Sequence, residues 1–407
     1  MYQHSISPCR LIFGIVCLSF ACFSPAALAQ GCIQAWGANQ NGELGNGAAG
    51  TDSNVPVTVA GAYTALSAGP DGHTLALKAD GTVWGWGVND RGQLGDAADH
   101  SATPLAIAGL PGKFIAISAG NGYSLALNSD GTVWAWGNND SGQLGIGTVT
   151  SSTSPVNLIG LPNVTAISAG YYHSMALTRD GKIYTWGNNA YGELGNNTTM
   201  ASLVPMALKV SGNPVFTAIS AGSAGHSLAL TKTGMIYAWG HNQEGECGDG
   251  HTADLKAPTR IVIPGNPTFT AVSAGASGFS MALDSAGAVW TWGDNSASEL
   301  GTGRGNANAL APVKITGLNN VVAISAGYYH SVVAKSDGTV WAWGHDGAGQ
   351  LGDQKTTEAS APTQVIAKPG FADVAARSAV KYMTGVIAVS AGCGYTEVLL
   401  STVSPTT

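Results

Sequence analysis

The chain has 407 residues, 57 of them Gly, with 44% hydrophobic residues, only 10% charged and a formal net charge of −7. The hydrophobic share excludes wholesale disorder, Gly without a three-residue period excludes collagen, and the scarcity of charge excludes coiled coils and long amphipathic helices. An acidic chain with no basic run is a poor candidate for nucleic acid, whose phosphates must be neutralised by Lys and Arg, and the expected chain is folded and rich in strands and turns.

Residues 1–29 read as an export signal. Arg10 supplies the positive start, and Leu11 to Phe23 is an apolar run too short for a bilayer span of ~20 residues. Ala27-Leu28-Ala29 forms a small-x-small cleavage pattern. Cleavage after Ala29 predicts a secreted or periplasmic protein that does not insert in a membrane afterwards. Gln30 and Gly31 make a poor lipoprotein box ahead of Cys32. The three cysteines left, Cys32, Cys247 and Cys393, are too few and too far apart for a disulfide framework or a zinc pattern.

From Trp36 onward one unit recurs. Trp-Gly begins at Trp36, Trp86, Trp136, Trp186, Trp239, Trp292 and Trp343, at spacings of 50, 50, 50, 53, 53 and 51. Ser-Ala-Gly alternates with it, beginning at Ser67, Ser118, Ser168, Ser220, Ser273, Ser325 and Ser390. A repeat of this length is a supersecondary unit that buries its faces only against its neighbours. The copy from Ala116 to Ile159 predicts four short strands. Thr132-Val-Trp-Ala-Trp136 alternates with period two, with Trp134 and Trp136 on a bulky face and Val133 and Ala135 on a small one. Such sheets fit stacked bulky side to small side. The Asp-Gly pairs at Asp80, Asp130, Asp180 and Asp337 predict hairpin turns, since Gly tolerates positive φ. Gly31 fills the same turn slot in the first copy. The chain starts with the last two strands of a unit and stops after the first two, so the two halves should pair and close a ring. The expected fold is all-β: a seven-bladed β-propeller of four-stranded antiparallel blades spanning 30–401. An insertion falls at about 367–385, and a tail at 402–407.

Together Ser-Ala-Gly-x-x-His-Ser, Asp-Gly-x-Val-x-x-Trp-Gly-x-Asn and Gly-Gln-Leu-Gly resemble the regulator of chromosome condensation repeat, seven times over nearly the whole chain after the signal. The resemblance implies a seven-bladed propeller that serves as a platform for protein partners. The export signal suggests a bacterial-type member, and a secreted bacterial relative that inhibits β-lactamases makes an inhibitor of a secreted or periplasmic enzyme a concrete role. The alternative implied by the founding member is guanine-nucleotide exchange on a Ran-type small GTPase in a host cell, with the insertion as a conceivable wedge. Cys247 stands where the pattern has Leu, and Ser298 where it has Gly.

No slot calls for an enzyme, a cofactor or a metal. His73, His173, His226 and His330 share one slot with Tyr123, Phe279 and Tyr395, which asks for a flat ring rather than a metal ligand. The Ser or Thr that follows is expected to bond its local backbone. Glu43, Glu193, Glu246 and Glu299 alternate with Gln93, Gln143 and Gln350, which points to accepting backbone N–H bonds in the Gly-x-Leu-Gly turn rather than to acid/base chemistry. Asn138 to Gly142 resembles a calcium loop without its terminal Glu. The most variable loop follows Ser-Ala-Gly. Asp71, Asn121, Tyr171, Tyr172, Tyr328 and Tyr329 lie in it and are the expected contacts of a protein partner on one rim, since Tyr is enriched at hot spots. The protein is expected to act as a monomer. Aligned on the hairpin, Cys32 and Cys393 lie at opposite ends of the closing blade, roughly 20 Å apart at ~3.3 Å per residue, and should stay unbridged.

Overall fold

The computed structural model describes residues 31–401 except 97, 304, 306, 367–382 and 384. The segment expected to be an export signal, most of the insertion and the tail therefore lie outside the described residues.

Among the described residues twenty-eight strands run from β1 (Gly31–Gly37) to β28 (Tyr395–Leu400). They form seven antiparallel sheets of four. The third unit is typical: β7 (Phe114–Ala119), β8 (Tyr123–Asn128), β9 (Val133–Gly137) and β10 (Ser152–Asn157) pair in chain order. The closing sheet joins the two ends of the chain, β1 and β2 (Ser53–Tyr63) with β27 (Val386–Ala391) and β28. Ile33 pairs with Leu399 and Gly37 with Tyr395. That register puts Cys32 beside Leu400 and Cys393 beyond the other end of the strand, and all three described cysteines are free. Cys247 is fully buried in the Leu slot, and burial pushes its thiol pKa well up.

The hairpin turns work through Gly. In the Asn128–Gly131 turn, Gly131 has φ 86° while Asp130 keeps a negative φ. Its N–H donates to the Asn128 carbonyl at 2.9 Å. Gly31 departs from this expectation. It is a strand residue at the start of β1, and a Cβ there would lie 1.8 Å from the Leu400 carbonyl oxygen. Ser298 adopts φ 61° in its Gly position, the left-handed region that L-residues enter at a cost.

The core lies between blades. Trp186 and Tyr184 of the fourth unit pack on Leu125, Leu127, Val133 and Ala135 of the third, and Trp136 packs likewise on Leu75, Leu77 and Val83 of the second. Bulky faces meet small faces around the ring.

The polar slots of the repeat are inter-blade locks. Each Ser-Ala-Gly serine accepts the N–H of the next unit's Ala at 2.9–3.0 Å, and Ser390 accepting from Ala68 completes the circle. The Trp of each Trp-Gly donates its indole N–H to the Glu or Gln carbonyl of the preceding unit, as Trp136 does to Gln93 at 2.7 Å and Trp36 to Gln350 at 2.9 Å. In six units the hydroxyl after the ring slot reaches the same carbonyl, as Ser124 does to Gln93 at 2.8 Å, while Thr74 instead meets the Tyr395 hydroxyl at 3.1 Å. That bond crosses to the neighbouring blade and corrects the expectation of a local one. The reason is geometric: the hydroxyl sits on the face turned toward the preceding blade, beside the Trp that bonds the same oxygen.

Candidate functional site

Strand alternation sorts the loops onto two faces. Loops after the first and third strands of each unit share one face, here the upper. Hairpin turns and unit-to-unit connectors share the lower. Asp71, Asn121, Tyr171, Tyr172, Tyr328 and Tyr329 all fall on the upper face, around the mouth of the central channel. Ile366 and Val386, the described residues that flank the insertion, stand on the lower face.

The Ala of each Ser-Ala-Gly lines the channel, from Ala68 and Ala119 round to Ala391, with Pro70 and Tyr328 at the mouth. The space inside is about 80 Å³, far below the several hundred Å³ of a typical small-molecule site. Tyr171 and Tyr172 stack edge to face at 4.3 Å, and Tyr328 and Tyr329 at 4.6 Å. Tyr329 is 38% exposed and the other three are half-buried. Burial, then Tyr329, raises the Tyr328 phenol pKa, with Tyr171 across the mouth adding to it. Asn121 donates its N–H to the Gly170 carbonyl at 3.1 Å.

Asp71 is held inside the ring. One carboxylate oxygen lies 2.6 Å from His73 Nδ1, and the other accepts from Gln93 Nε2 at 2.8 Å and from the Gly122 N–H at 2.9 Å. His73 Nε2 in turn lies 3.0 Å from Ser124 Oγ. Asp71, His73 and Ser124 thus have the layout of a hydrolytic triad, which sequence reading did not find because Ser124 belongs to the next repeat. Ser124 is wholly buried and its proton is committed to the Gln93 carbonyl, so no substrate carbonyl can reach it. The same lock recurs without a carboxylate at His173–Ser227, His226–Ser280 and His330–Thr396, at 2.9–3.0 Å.

In the last of these the Thr396 hydroxyl donates to the Gln350 carbonyl at 2.9 Å. His330 Nε2 must therefore carry the proton, which leaves a bare Nδ1 that is buried and unpartnered. Burial holds His330 and His173 neutral, with pKa values down to about 3, and His226 to about 4. Such rings are locks, not metal ligands. Among the described residues no group of three or more His, Cys, Asp or Glu could hold a metal ion.

The Glu and Gln slot behaves as expected. Glu43, Gln93, Gln143, Glu193, Glu246, Glu299 and Gln350 each accept the backbone N–H two residues earlier, at 2.8–2.9 Å. Burial, reinforced by Asp294, raises Glu299 to about 7. Burial also pushes Glu246 up, but its contact with His241 Nδ1 prevails and brings it below the usual range. The Asn after Trp-Gly is a clamp that the sequence shows without explaining. Asn139 Nδ2 donates to the carbonyls of Thr148 and Thr150, and its Oδ1 accepts from Leu144 N. These contacts account for the Asn138–Gly142 segment as a loop clamp.

What remains free on the upper face is acidic. Ten partly or fully exposed carboxylates lie there, among them Asp52, Asp90, Asp140, Glu244 and Glu358, against Arg91, Lys256 and Lys355 among the described residues. Arg91 is itself spent between Asp90 and Asp140.

Comparison with known proteins agrees with this geometry. A sequence model of the RCC1-like domain matches residues 32–398. The Arabidopsis thaliana RCC1 domain-containing protein RUG3, mitochondrial, is 34% identical over 173 residues, 40% of this chain and 38% of that protein. The human E3 ubiquitin-protein ligase HERC2 is 35% identical over 155 residues, 38% of this chain and 3% of that protein. The matched stretches thus span well under half of these relatives. Prp20p of Saccharomyces cerevisiae, whose structure was reported with its binding to Gsp1p and histones, superposes with TM-score 0.81 at 23% identity over 93% of each chain. Human WBSCR16 superposes with TM-score 0.79 at 22% identity, over 91% of this chain and all of that one.

Proposed function

The chain belongs to the RCC1-like domain family, and from that premise we propose that it is a non-enzymatic scaffold that binds a protein partner on its upper face. It acts outside the cytoplasm, and inhibition of a secreted or periplasmic enzyme is one concrete form of that role. The observation that carries the reading is where variation falls. The repeated polar side chains are consumed by inter-blade locks, while the variable loops converge on one face with two half-exposed tyrosine pairs and a fringe of carboxylates. Tyrosine supplies rigid contact area at low entropic cost, and the carboxylates favour a partner surface rich in Lys and Arg. Prp20p, with its reported binding to Gsp1p and histones, is a protein-binding precedent on the same fold.

The test is affinity capture with the purified protein, comparing wild type with a variant carrying Tyr171→Ala, Tyr172→Ala, Tyr328→Ala and Tyr329→Ala. Partners that bind wild type in a salt-sensitive manner and are lost from the variant support the reading. Capture that is unchanged by all four substitutions refutes this rim. Acceleration of nucleotide release from a Ran-type GTPase would instead establish the exchange role.

A further inference from the structure

The lower face has the opposite character. Its hairpin turns carry Lys78, Arg179, Lys182 and Lys232, and Lys335 ends the strand that leads into one. Its connectors and outer strand ends add Lys113, Lys209, Arg260 and Lys314. Nine of the twelve described Lys and Arg thus sit on this face, against five of the 23 described carboxylates. Those five are tied down locally. Asp80, Asp130 and Asp337 cap the Thr two residues on, at 2.6–2.7 Å to its hydroxyl. Asp180 pairs with Lys182 at 2.9 Å, and buried Asp284 accepts from the Trp290 indole at 3.0 Å. Among the described residues no carboxylate pairs with Lys113, Arg179, Lys209, Lys232 or Arg260, and all five are exposed.

Between these cations aliphatic side chains project into solvent from successive blades. Ile159 is 87% exposed and Val262 75%, with Val215 at 50% and Met235 at 37%. Ile159, Val215 and Val262 belong to unit-to-unit connectors and Met235 to a hairpin turn, so all four stand at the lower edge of the ring.

We propose that this face docks on an anionic lipid bilayer. Unpaired cations around a broad face match the negative surface of acidic phospholipids, and bare aliphatic tips beside them enter the headgroup boundary. A nucleic-acid backbone would use the cations but leave Ile159 and Val262 in water. Among the described residues no helix is long and apolar enough to cross a membrane, and the docking proposed is peripheral. The acidic upper face is repelled by the same surface, so docking orients the disc with its tyrosine pairs away from the lipid.

The experiment is co-sedimentation of the purified protein with vesicles of phosphatidylcholine alone or mixed with phosphatidylglycerol, at low and high salt. Wild type should bind only the mixed vesicles and release at high salt. Arg179→Glu with Lys209→Glu and Lys232→Glu should weaken binding roughly tenfold or more. Ile159→Asp with Val262→Asp, exposed changes that leave the core untouched, should weaken it several-fold, and the four-tyrosine variant should bind as wild type. Circular dichroism confirms that each variant is folded. The proposal is overturned by absence of binding or by equal binding to neutral vesicles. It is also overturned if the Ile159/Val262 variant keeps full affinity while duplex DNA displaces the vesicles.

Discussion

Glu397 occupies a slot that every other blade fills with an apolar side chain. Its counterparts, placed by strand register, are Leu75, Leu125, Met175, Leu228, Met281 and Val332. It is fully buried, accepts from the Trp86 indole at 3.2 Å through one oxygen, and leaves the other unpartnered. No cation faces it among the described residues; its surroundings are Trp86, Thr74, Tyr63 and Tyr395. Burial raises its pKa from 4.5 to about 8, only partly offset by Thr74 and Trp86. A carboxyl whose folded pKa is raised holds its proton more tightly when folded. Its contribution is therefore fully present below pH 4.5 and is lost as pH rises toward 8. At 1.36 kcal/mol per unit, that loss is about 4 kcal/mol by pH 8, on the order of a third of a typical folding free energy.

The perturbation is Glu397→Leu, which restores the apolar slot, with Glu397→Gln as the isosteric neutral control. Denaturant unfolding of wild type and both variants at pH 5, 6.5 and 8 measures the difference. Wild type should lose stability relative to each variant throughout pH 5 to 8, the loss levelling off as pH passes the folded pKa of about 8, with the Leu variant the more stable at pH 8. A wild-type minus variant difference that stays flat over this range would refute the buried neutral acid.

Four further outcomes follow from the locks and clamps. His173→Phe, which copies Phe279 at the same slot, should soften acid denaturation between pH 6.5 and about 3. A buried neutral His must charge on unfolding there, and the free-energy difference between the two proteins, followed by fluorescence against pH, reads the effect. Ser298→Gly should stabilise by about 1 kcal/mol at φ 61°, provided the relief exceeds the loss of the Ser298 hydroxyl contact with Glu358. Thermal midpoint shows the sign. Asp346→Asn should stabilise at pH 8, because burial raises this carboxyl to about 7 and its Oδ2 is unpartnered, where the other six blades place a donating Asn. Ser390→Ala removes the bond that completes the circle of serines and should cost about 1 kcal/mol in a denaturant titration.

The architecture is legible in the chain because its signals are local and repeated. Trp-Gly, Ser-Ala-Gly and Asp-Gly each set a strand, a channel edge or a turn within a few residues. Closure follows from the half-units at either end. The locks are not legible, because Ser124 finds its partners 31 and 51 residues away and only strand register shows which hydroxyl meets which ring. Asp71 illustrates the consequence: in sequence it is one residue of a variable loop, and in the fold it is an anchor between two blades. Glu397 did leave a trace, a lone acid in a column of Leu, Met and Val. The segregation of charge left one too, since most Lys and Arg lie beside the hairpin turn or in the connector between units and most carboxylates lie in the loop after Trp-Gly. It shows as two opposed faces only when alternate loops are assigned to alternate sides.

The indole, hydroxyl and serine locks all run one way round the ring. The indole, and in six units the hydroxyl, reaches back to a carbonyl of the preceding unit, and that unit's serine receives the next unit's N–H. Each blade therefore presents a plug on one side and a matching socket on the other. Blades built to this plan are interchangeable parts: the third could be exchanged for the fifth, or one copied in tandem, and its edges would still find complementary neighbours. The closing blade is the exception, because Gln34 and Glu397 replace the aromatic and aliphatic residues of the common plan. A protein assembled this way can diversify its loops by shuffling whole units while its seam stays where the ends of the chain meet.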